Sequence, residues 1–435
     1  MLANKFKAVL ADAEQRHMAI SSLVALTVRV AGAGMAFLFT LLIARQLGAE
    51  QAGYFFLAFT VVTFLSAIAR LGFDNTIIRF TGPAVKNKYG QTTRSILNFS
   101  LRYSLPVSVI FAGLVFLLAK PLSDLVFNKP ELSAVLQNMA PALIALSVVT
   151  LIAMSLQARQ QLIASISALS ISHFVLCGSL ILFLGLSTSS DIAKAFSLSL
   201  IIAAIGYYLY WRKGLSQAGE SISASVMWHS ARPNWMIMSM SQLLLWIGPL
   251  IAGIWLSSAD VAYLSVAQRV AALTSFILMA VNLVVAPKFA AFYAENDMAS
   301  VRKTALFSVR LLVVSAVPLL AAMLIFPEFL MGLFGSDFAQ GAQLLQILAL
   351  GQFVNVITGS VGYLLMMSGH ERDLRTSTMI SGGLVVILTI VLTQYFGVVG
   401  CAIATAISLA FQNLLAAYFV KKRLGFNTLK FWQKI

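Results

Sequence analysis

Carboxylates are scarce in this chain: 15 Asp and Glu stand against 30 Lys and Arg in 435 residues. No Asp or Glu lies clearly within an apolar segment. A carrier that trades protons or sodium for cationic drugs needs intramembrane carboxylates, and none is in view here. Cysteine is almost absent as well. Cys177 and Cys401 both fall inside apolar runs, which leaves neither a disulfide framework nor a thiolate metal site. The patterns His-Glu-x-x-His, Asp-x-Asp and the P-loop are missing, so zinc catalysis, metal-dependent glycosyl transfer and ATP hydrolysis are not indicated. The longest loops outside the presumed cytoplasm, near 120–133 and 327–341, contain no His and offer little room for a membrane polymerase or ligase. Strict apolar/polar alternation is too sparse for a membrane β-barrel.

What is present is apolar sequence. Hydrophobic residues make up 60% of the chain and charged residues only 10%, with a mean hydropathy of +0.89. A soluble domain carries about 25% charged residues, so the composition is that of an integral membrane protein. Apolar blocks of spanning length lie near 19–44, 51–69, 97–119, 134–157, 162–186, 194–211, 233–256, 261–286, 304–326, 342–367, 376–396 and 398–420. A spanning helix takes roughly 20 residues, so the expected fold is an all-α integral membrane protein with twelve transmembrane helices. No cleavable signal peptide is expected, because the first block is too long for one. The stretch from Lys5 to Leu10 has the pattern of a surface-lying amphipathic turn or two.

The net charge of +15 raises nucleic-acid binding as an option, but its distribution argues against it. With the N-terminus inside, 24 Lys and Arg fall in presumed cytoplasmic segments and four, Arg45, Lys120, Lys129 and Lys194, fall outside. That bias is the positive-inside rule and places both termini in the cytoplasm. The basic charge is a topology signal.

A shift of 209 residues brings the halves into register. Gly53-Tyr54 falls on Ala262-Tyr263, Arg79-Phe80 on Lys288-Phe289, Arg94 on Lys303, and Leu136-Gln137 on Leu345-Gln346. A constant offset suggests a duplicated six-helix unit. The organisation expected is an N-terminal lobe over 1–211, a cytoplasmic linker over 212–232, and a C-terminal lobe over 233–435 with a basic tail, the lobes related by a pseudo-two-fold axis with a site between them.

Two charges sit unavoidably deep in apolar segments. Arg29 interrupts the run from Met18 to Ala44, and Arg269 interrupts Val261 to Ala286. A buried guanidinium costs several kcal/mol unless it faces a wet cavity or a partner, so an unpaired pair of them suggests an anionic ligand. The alternative for Arg29 is snorkelling over roughly 15 Å, and for Arg269 a contact with Asp260 two turns away. The cluster Arg70, Asp74 and Arg79 reads either as topology signal plus a surface ion pair or as a vestibule in which Asp74 titrates. Gln242, Asn282, Gln352, Asn355, Gln412 and Asn413 are either interhelical hydrogen-bond glue or contacts to sugar hydroxyls. Trp246 belongs to an interfacial belt or stacks on a sugar.

The run Ile43-Ala44-Arg45-Gln46-Leu47-Gly48-Ala49-Glu50, with Gly53-Tyr54-Phe55 after it, resembles the helix 1–2 junction of the polysaccharide-transporter (Wzx-type flippase) family. Leu71-Gly72-Phe73 leading to Arg79-Phe80, and Tyr263-Leu264-Ser265-Val266-Ala267-Gln268-Arg269 leading to Pro287-Lys288, extend that resemblance over essentially the whole chain. The family belongs to the multidrug/oligosaccharidyl-lipid/polysaccharide (MATE/MOP) exporter superfamily. The resemblance implies a V-shaped two-lobed bundle that turns polyprenyl-pyrophosphate oligosaccharides of O-antigen, capsule or exopolysaccharide across the bacterial inner membrane by alternating access. It implies that Arg269, in its Tyr-x-x-Ala-x-Arg context, and more loosely Arg29 meet the pyrophosphate. Arg45, Arg70, Arg79, Gln242, Trp246 and Asn282 are the further candidate substrate contacts on the residues themselves. It implies no catalysis and no cofactor beyond a coupling H+ or Na+. The partners it implies are membrane lipids and a polysaccharide polymerase with its chain-length machinery, around a monomer. An ion-coupled multidrug antiporter of the same superfamily is the alternative.

Overall fold

A computed structural model describes residues 13–86, 90–213, 215 and 219–432, without the side chains of 13–26, Lys86, Leu244, Leu283 and Pro287. Of the basic residues counted as cytoplasmic, Lys5, Lys7, Lys88 and Lys434 and the side chains of Arg16 and Lys86 lie outside that set, as do the stretch Lys5 to Leu10 and part of the 212–232 linker.

Long apolar runs leave the backbone no polar solvent, and helices satisfy it internally. The first half consists of α1 (Ala13–Ala69), α2 (Phe73–Lys86), α3 (Gly90–Leu117), α4 (Leu132–Ala158), α5 (Leu162–Ser170), α6 (Ser172–Leu184) and α7 (Ser189–Arg212). The second half consists of α8 (Ala224–Trp255), α9 (Ser258–Ala271), α10 (Leu273–Ala294), α11 (Met298–Ile325), α12 (Ala342–Thr358), α13 (Val361–Met367) and α14 (Glu371–Leu424). The described residues contain no strand. The duplication is visible in the helix starts: Met298, Ala342 and Glu371 follow Gly90, Leu132 and Leu162 by 208, 210 and 209 residues. The described helix α8 begins at Ala224, inside the connection expected over 212–232.

Among the described residues, eight helices are long and apolar enough to cross a membrane, or up to ten if each bent pair is one span. Two of the eight are hairpins. α1 turns at Gly48 (φ 69°, ψ 177°) and α14 at Gly397 (φ 57°, ψ −139°), backbone that only glycine adopts at little cost. The α14 limbs run antiparallel, since Arg423 meets Asp373 at 2.6 Å and Gln412 meets Thr378 at 3.1 Å. In α1, Phe39 and Phe55 stand opposite each other across Gly48, with ring centroids 6.2 Å apart. Short polar connections carry their own stops. Ser257 and Asp260 form a capping box at the start of α9, Thr188 caps α7 through the Asp191 N–H, and Asp297 caps α11 through the Ser300 N–H.

Large apolar side chains point outward, Phe183 at 88%, Leu125 at 79% and Val314 at 72% exposure, as suits a surface facing lipid. The main core runs from Phe39, Phe55 and Phe196 in the first half to Phe334, Leu345 and Leu348 in the second. A smaller core joins Phe73, Ile77, Leu97, Leu156 and Trp211 to Met227 and Ala231 at the start of α8. The first turns of α8 therefore pack with the first half of the chain. His173 is buried against Phe174 at 4.1 Å and serves packing.

Candidate functional site

Arg269 occupies the last turn of α9, just before the helix breaks at Ala272. Its guanidinium crosses to the α1 hairpin: Nη1 donates to Thr40 Oγ1 on one limb. Cζ lies 4.9 Å from the Phe56 ring centroid and 5.2 Å from that of Phe59 on the other limb. Two rings give a desolvated cation a favourable face, worth roughly 0.5–2 kcal/mol in such settings. Thr40 passes its own proton to the Ala36 carbonyl at 2.8 Å, leaving an oxygen lone pair for Arg269. Phe59 meets the Trp246 ring edgewise at 5.9 Å, and Trp246 Nε1 donates to Gln242 Oε1 at 2.9 Å. The structure thus brings Arg269, Trp246 and Gln242 into one continuous chain of contacts between the halves.

Among the described residues, no carboxylate neutralises Arg269. Asp260 is engaged by Ser257, whose N–H and hydroxyl both donate to its Oδ2, at 3.2 and 2.7 Å. The ion pairs among the described residues are Arg70–Asp74, Lys194–Asp191 and Arg423–Asp373. The Asp260 alternative for Arg269 is therefore not realised.

Arg29 stands apart. It is exposed, and its Nη1 lies 3.6 Å from Met279 Sδ on α10. It lies eleven positions along α1 from Thr40, roughly 16 Å along a helix. The two arginines mark two levels of the seam between α1 and α9–α10. The other expected contacts are dispersed. Asn282 on α10 is buried with its Oδ1 lacking a partner among the described residues. Arg45 is exposed and donates to the Leu333 carbonyl at 2.7 Å. Arg70 pairs with Asp74 at 2.8 Å and donates to Ser66 at 3.1 Å, both side chains largely buried. Arg79 is exposed with its guanidinium 5.6 Å from the Phe80 ring.

The hairpin turn at Gly48 lies at a tightly closed end of the molecule. A Cβ on Gly53 would run into the Ser258 carbonyl, so α1 and α9 touch backbone to backbone there. Lys129, in the turn before α4, is 8% exposed. It donates to the carbonyls of Phe127 at 3.0 Å, Gly253 at 2.7 Å and Leu256 at 2.6 Å. The last two are orphan acceptors at the C-terminal end of α8, where a cation is also favoured by the helix dipole. Burial pushes the Lys129 ammonium below its usual 10.5, with the Asp260 charge opposing that shift. Phe37 and Phe334, 5.2 Å apart, close the same end. Its position among the few cations on that side made Lys129 a topology marker in the sequence; its role as a clamp depends on a fold of the loop that no local pattern encodes.

A cavity of about 820 Å³ opens within the second half, walled by α8, α9, α10, α12, α13 and α14, with Asn75 of α2 at its border. Neither Asp74 nor any of Arg29, Arg269, Arg45, Arg70, Arg79, Gln242, Trp246 and Asn282 lines it. Gln268, the neighbour of Arg269, does, with Gln352, Asn355 and Gln412 on the facing helices. Asn355 Nδ2 donates to Gln352 Oε1 at 3.2 Å and Gln412 Nε2 to Thr378 Oγ1 at 3.1 Å. In the sequence these amides show only as polar residues in apolar runs, with nothing to say which share a wall.

Comparison with known proteins agrees with this architecture. The model of the family "Polysaccharide biosynthesis protein" matches residues 19–293, and the MatE model matches residues 236–394. The chain is 25% identical over 428 residues to a probable low-salt glycan biosynthesis flippase, Agl15, of Haloferax volcanii, covering 95% of this chain and 85% of that protein. Among solved structures, the lipid II flippase MurJ in an inward closed conformation superimposes with a TM-score of 0.72 at 14% identity, over 92% of this chain and 87% of that one. A multidrug resistance MATE family transporter of the MOP superfamily, inward-facing, superimposes with a TM-score of 0.69 at 16% identity, over 92% of this chain and 98% of that one. These likenesses show an all-helical membrane fold of the MATE/MOP kind. Because the match over residues 19–293 takes in more than half of the sequence, the chain belongs to the polysaccharide biosynthesis protein family.

Proposed function

We propose that this protein is a flippase, a carrier and not a catalyst, that moves a polyprenyl-pyrophosphate-linked oligosaccharide from the cytoplasmic to the periplasmic leaflet of a bacterial inner membrane. Taking each hairpin as two crossings and each bent pair as one gives twelve spans with both termini cytoplasmic, the 212–232 segment linking an N-terminal and a C-terminal six-helix lobe, and the Gly48 end at the periplasm. The observation that carries the reading is Arg269, an intramembrane guanidinium between α1 and α9 with no carboxylate partner among the described residues. A diphosphate offers the forked acceptors that guanidinium matches, and it stays charged at this depth. Arg29, lower on the same seam, would meet the head group on entry. The relative's name, a glycan biosynthesis flippase, supports the same class of cargo. Alternating access then requires the clamp at the Gly48 end to release. Coupling by H+ or Na+ through Asp74 would have to break its pairing with Arg70. A polysaccharide polymerase with its chain-length machinery would take the product, and the carrier works as a monomer.

The test is a thermal-shift series on purified wild type and Arg269→Glu with a polyprenyl-pyrophosphate glycan, a neutral polyprenol and a cationic dye. The glycolipid should stabilise wild type most, and Arg269→Glu should abolish that gain because its charge repels the diphosphate. Preferential stabilisation by the dye, unaffected by the substitution, would support the multidrug antiporter instead, the reading that the MatE match over residues 236–394 keeps in play.

A further inference from the structure

Gln268 and Arg269 are consecutive residues that serve different spaces: Arg269 reaches the α1 hairpin, and Gln268 lines the 820 Å³ cavity. The cavity's chemistry is unlike that of the seam. Ten of its 24 lining side chains are neutral and hydrogen-bonding, and five of these are amides, Asn75, Gln268, Gln352, Asn355 and Gln412. Charge is limited to Glu371 and Arg375, one turn apart on α14, and no aromatic ring lines it.

Each amide carries both a donor and an acceptor, the same pair a sugar hydroxyl presents. The wall is only partly self-satisfied. With Asn355 bound to Gln352 and Gln412 to Thr378, the Gln352 Nε2 and Gln412 Oε1 ends have no protein partner among the described residues. Ser408 Oγ, on the same wall, is buried and likewise without one. Unmet hydrogen-bonding groups at membrane depth are costly, and a polyhydroxylated ligand would satisfy them. Other occupants fit worse. A polyprenyl chain makes no hydrogen bonds, and the single lining cation and carboxylate, Arg375 and Glu371, stand one turn apart on α14, so neither a diphosphate nor a cationic drug meets a net opposite charge there. The volume falls within the range of small-molecule sites, roughly 300–1,000 Å³.

The geometry points to the second-half cavity as the subsite for the neutral glycan of the substrate, with Gln352 and Gln412 setting sugar recognition while the diphosphate stays at Arg269. This rests on the flippase reading above. Anionic and polyhydroxyl recognition are then divided between the seam and one lobe, joined at the Gln268–Arg269 step, much as the sugar is joined directly to the phosphate.

The test measures affinity of protein in lipid nanodiscs for two probes, bare undecaprenyl pyrophosphate and the undecaprenyl-pyrophosphate oligosaccharide extracted from the protein's own host. Wild type and Gln352→Leu/Gln412→Leu are compared. Wild type should bind the glycan-bearing lipid more tightly. The double variant should lose about tenfold for that lipid, the worth of one or two neutral hydrogen bonds, and keep its affinity for the bare carrier. Unchanged affinity of the double variant for the glycan-bearing lipid overturns the subsite while leaving the flippase reading intact. Failure of wild type to bind either lipid overturns both. Retained bare-carrier binding shows the variant is folded; if it is lost, Gln412→Asn, which shortens the wall by one methylene, is measured instead under the same criteria.

Discussion

Arg269 on α9 donates to Thr40 on α1 across 229 positions of sequence, and the same guanidinium lies between Phe56 and Phe59. One side chain therefore holds both limbs of the first hairpin to the second half of the molecule. Thr40→Val should leave the Arg269 fork short of an acceptor and lower the apparent unfolding free energy in detergent by about 1–3 kcal/mol, whereas Thr40→Ser should stay near wild type. Equal stabilities for the two variants would mean the rings alone hold the cation.

Arg29 is exposed and its one hydrogen-bond contact among the described residues is Met279, so its removal should cost little packing. Arg29→Ala is expected to insert and fold as wild type does and to lose glycan export, with Arg29→Lys partly active because an ammonium attracts phosphate without the forked geometry. Export at the wild-type rate in Arg29→Ala, read from surface glycan in a complemented deletion strain, would remove Arg29 from the transport path.

Lys129 gives a pH dependence with a definite sign. Burial lowers its pKa in the closed end, while an opened, hydrated end should return it towards 10.5. The open form then binds more protons, so opening should become harder as pH rises from the lowered value towards 10.5, and show no Lys129-linked change below it. Spin labels placed on either side of the Gly48 end should report a growing closed population over that interval. Lys129→Met should flatten the dependence and, having lost the clamp on Gly253 and Leu256, shift the population towards open at neutral pH.

Topology is testable independently. Reporter fusions after Gly185 and Ser336 should read periplasm, and a fusion after Leu424 should read cytoplasm. A cytoplasmic signal at Ser336 would break the register of the second half.

The fold was legible because its signals are long and repeated. Apolar blocks of spanning length report burial in lipid directly, and the 209-residue register recurs to within one residue in the helix starts Gly90 and Met298, Leu132 and Ala342. Of the site, Arg269 was legible, since a lone charge in an apolar run stands out whatever lies around it. Its partners were not. Thr40, Phe56 and Phe59 look like ordinary helix filler, and they become a cation's surroundings only through the hairpin at Gly48. Trp246 and Gln242 were singled out for polarity and ring size, and their link to Arg269 through Phe59 is a matter of helix phase. The amide-lined cavity needed several helices placed at once, which a single sequence does not supply.

The duplicated helix pattern has an evolutionary consequence. Two copies of one ancestral unit need not keep the same job: the first can conserve the mechanical hairpin and its grip on the carrier, while the walls from α12 to α14 drift to suit new cargo. Related carriers should therefore differ most at positions such as Gln352, Thr378 and Gln412 and least around Thr40, Phe56 and Arg269. Exchanging α12–α14 between two of them would be the economical way to retarget one to the other's sugar.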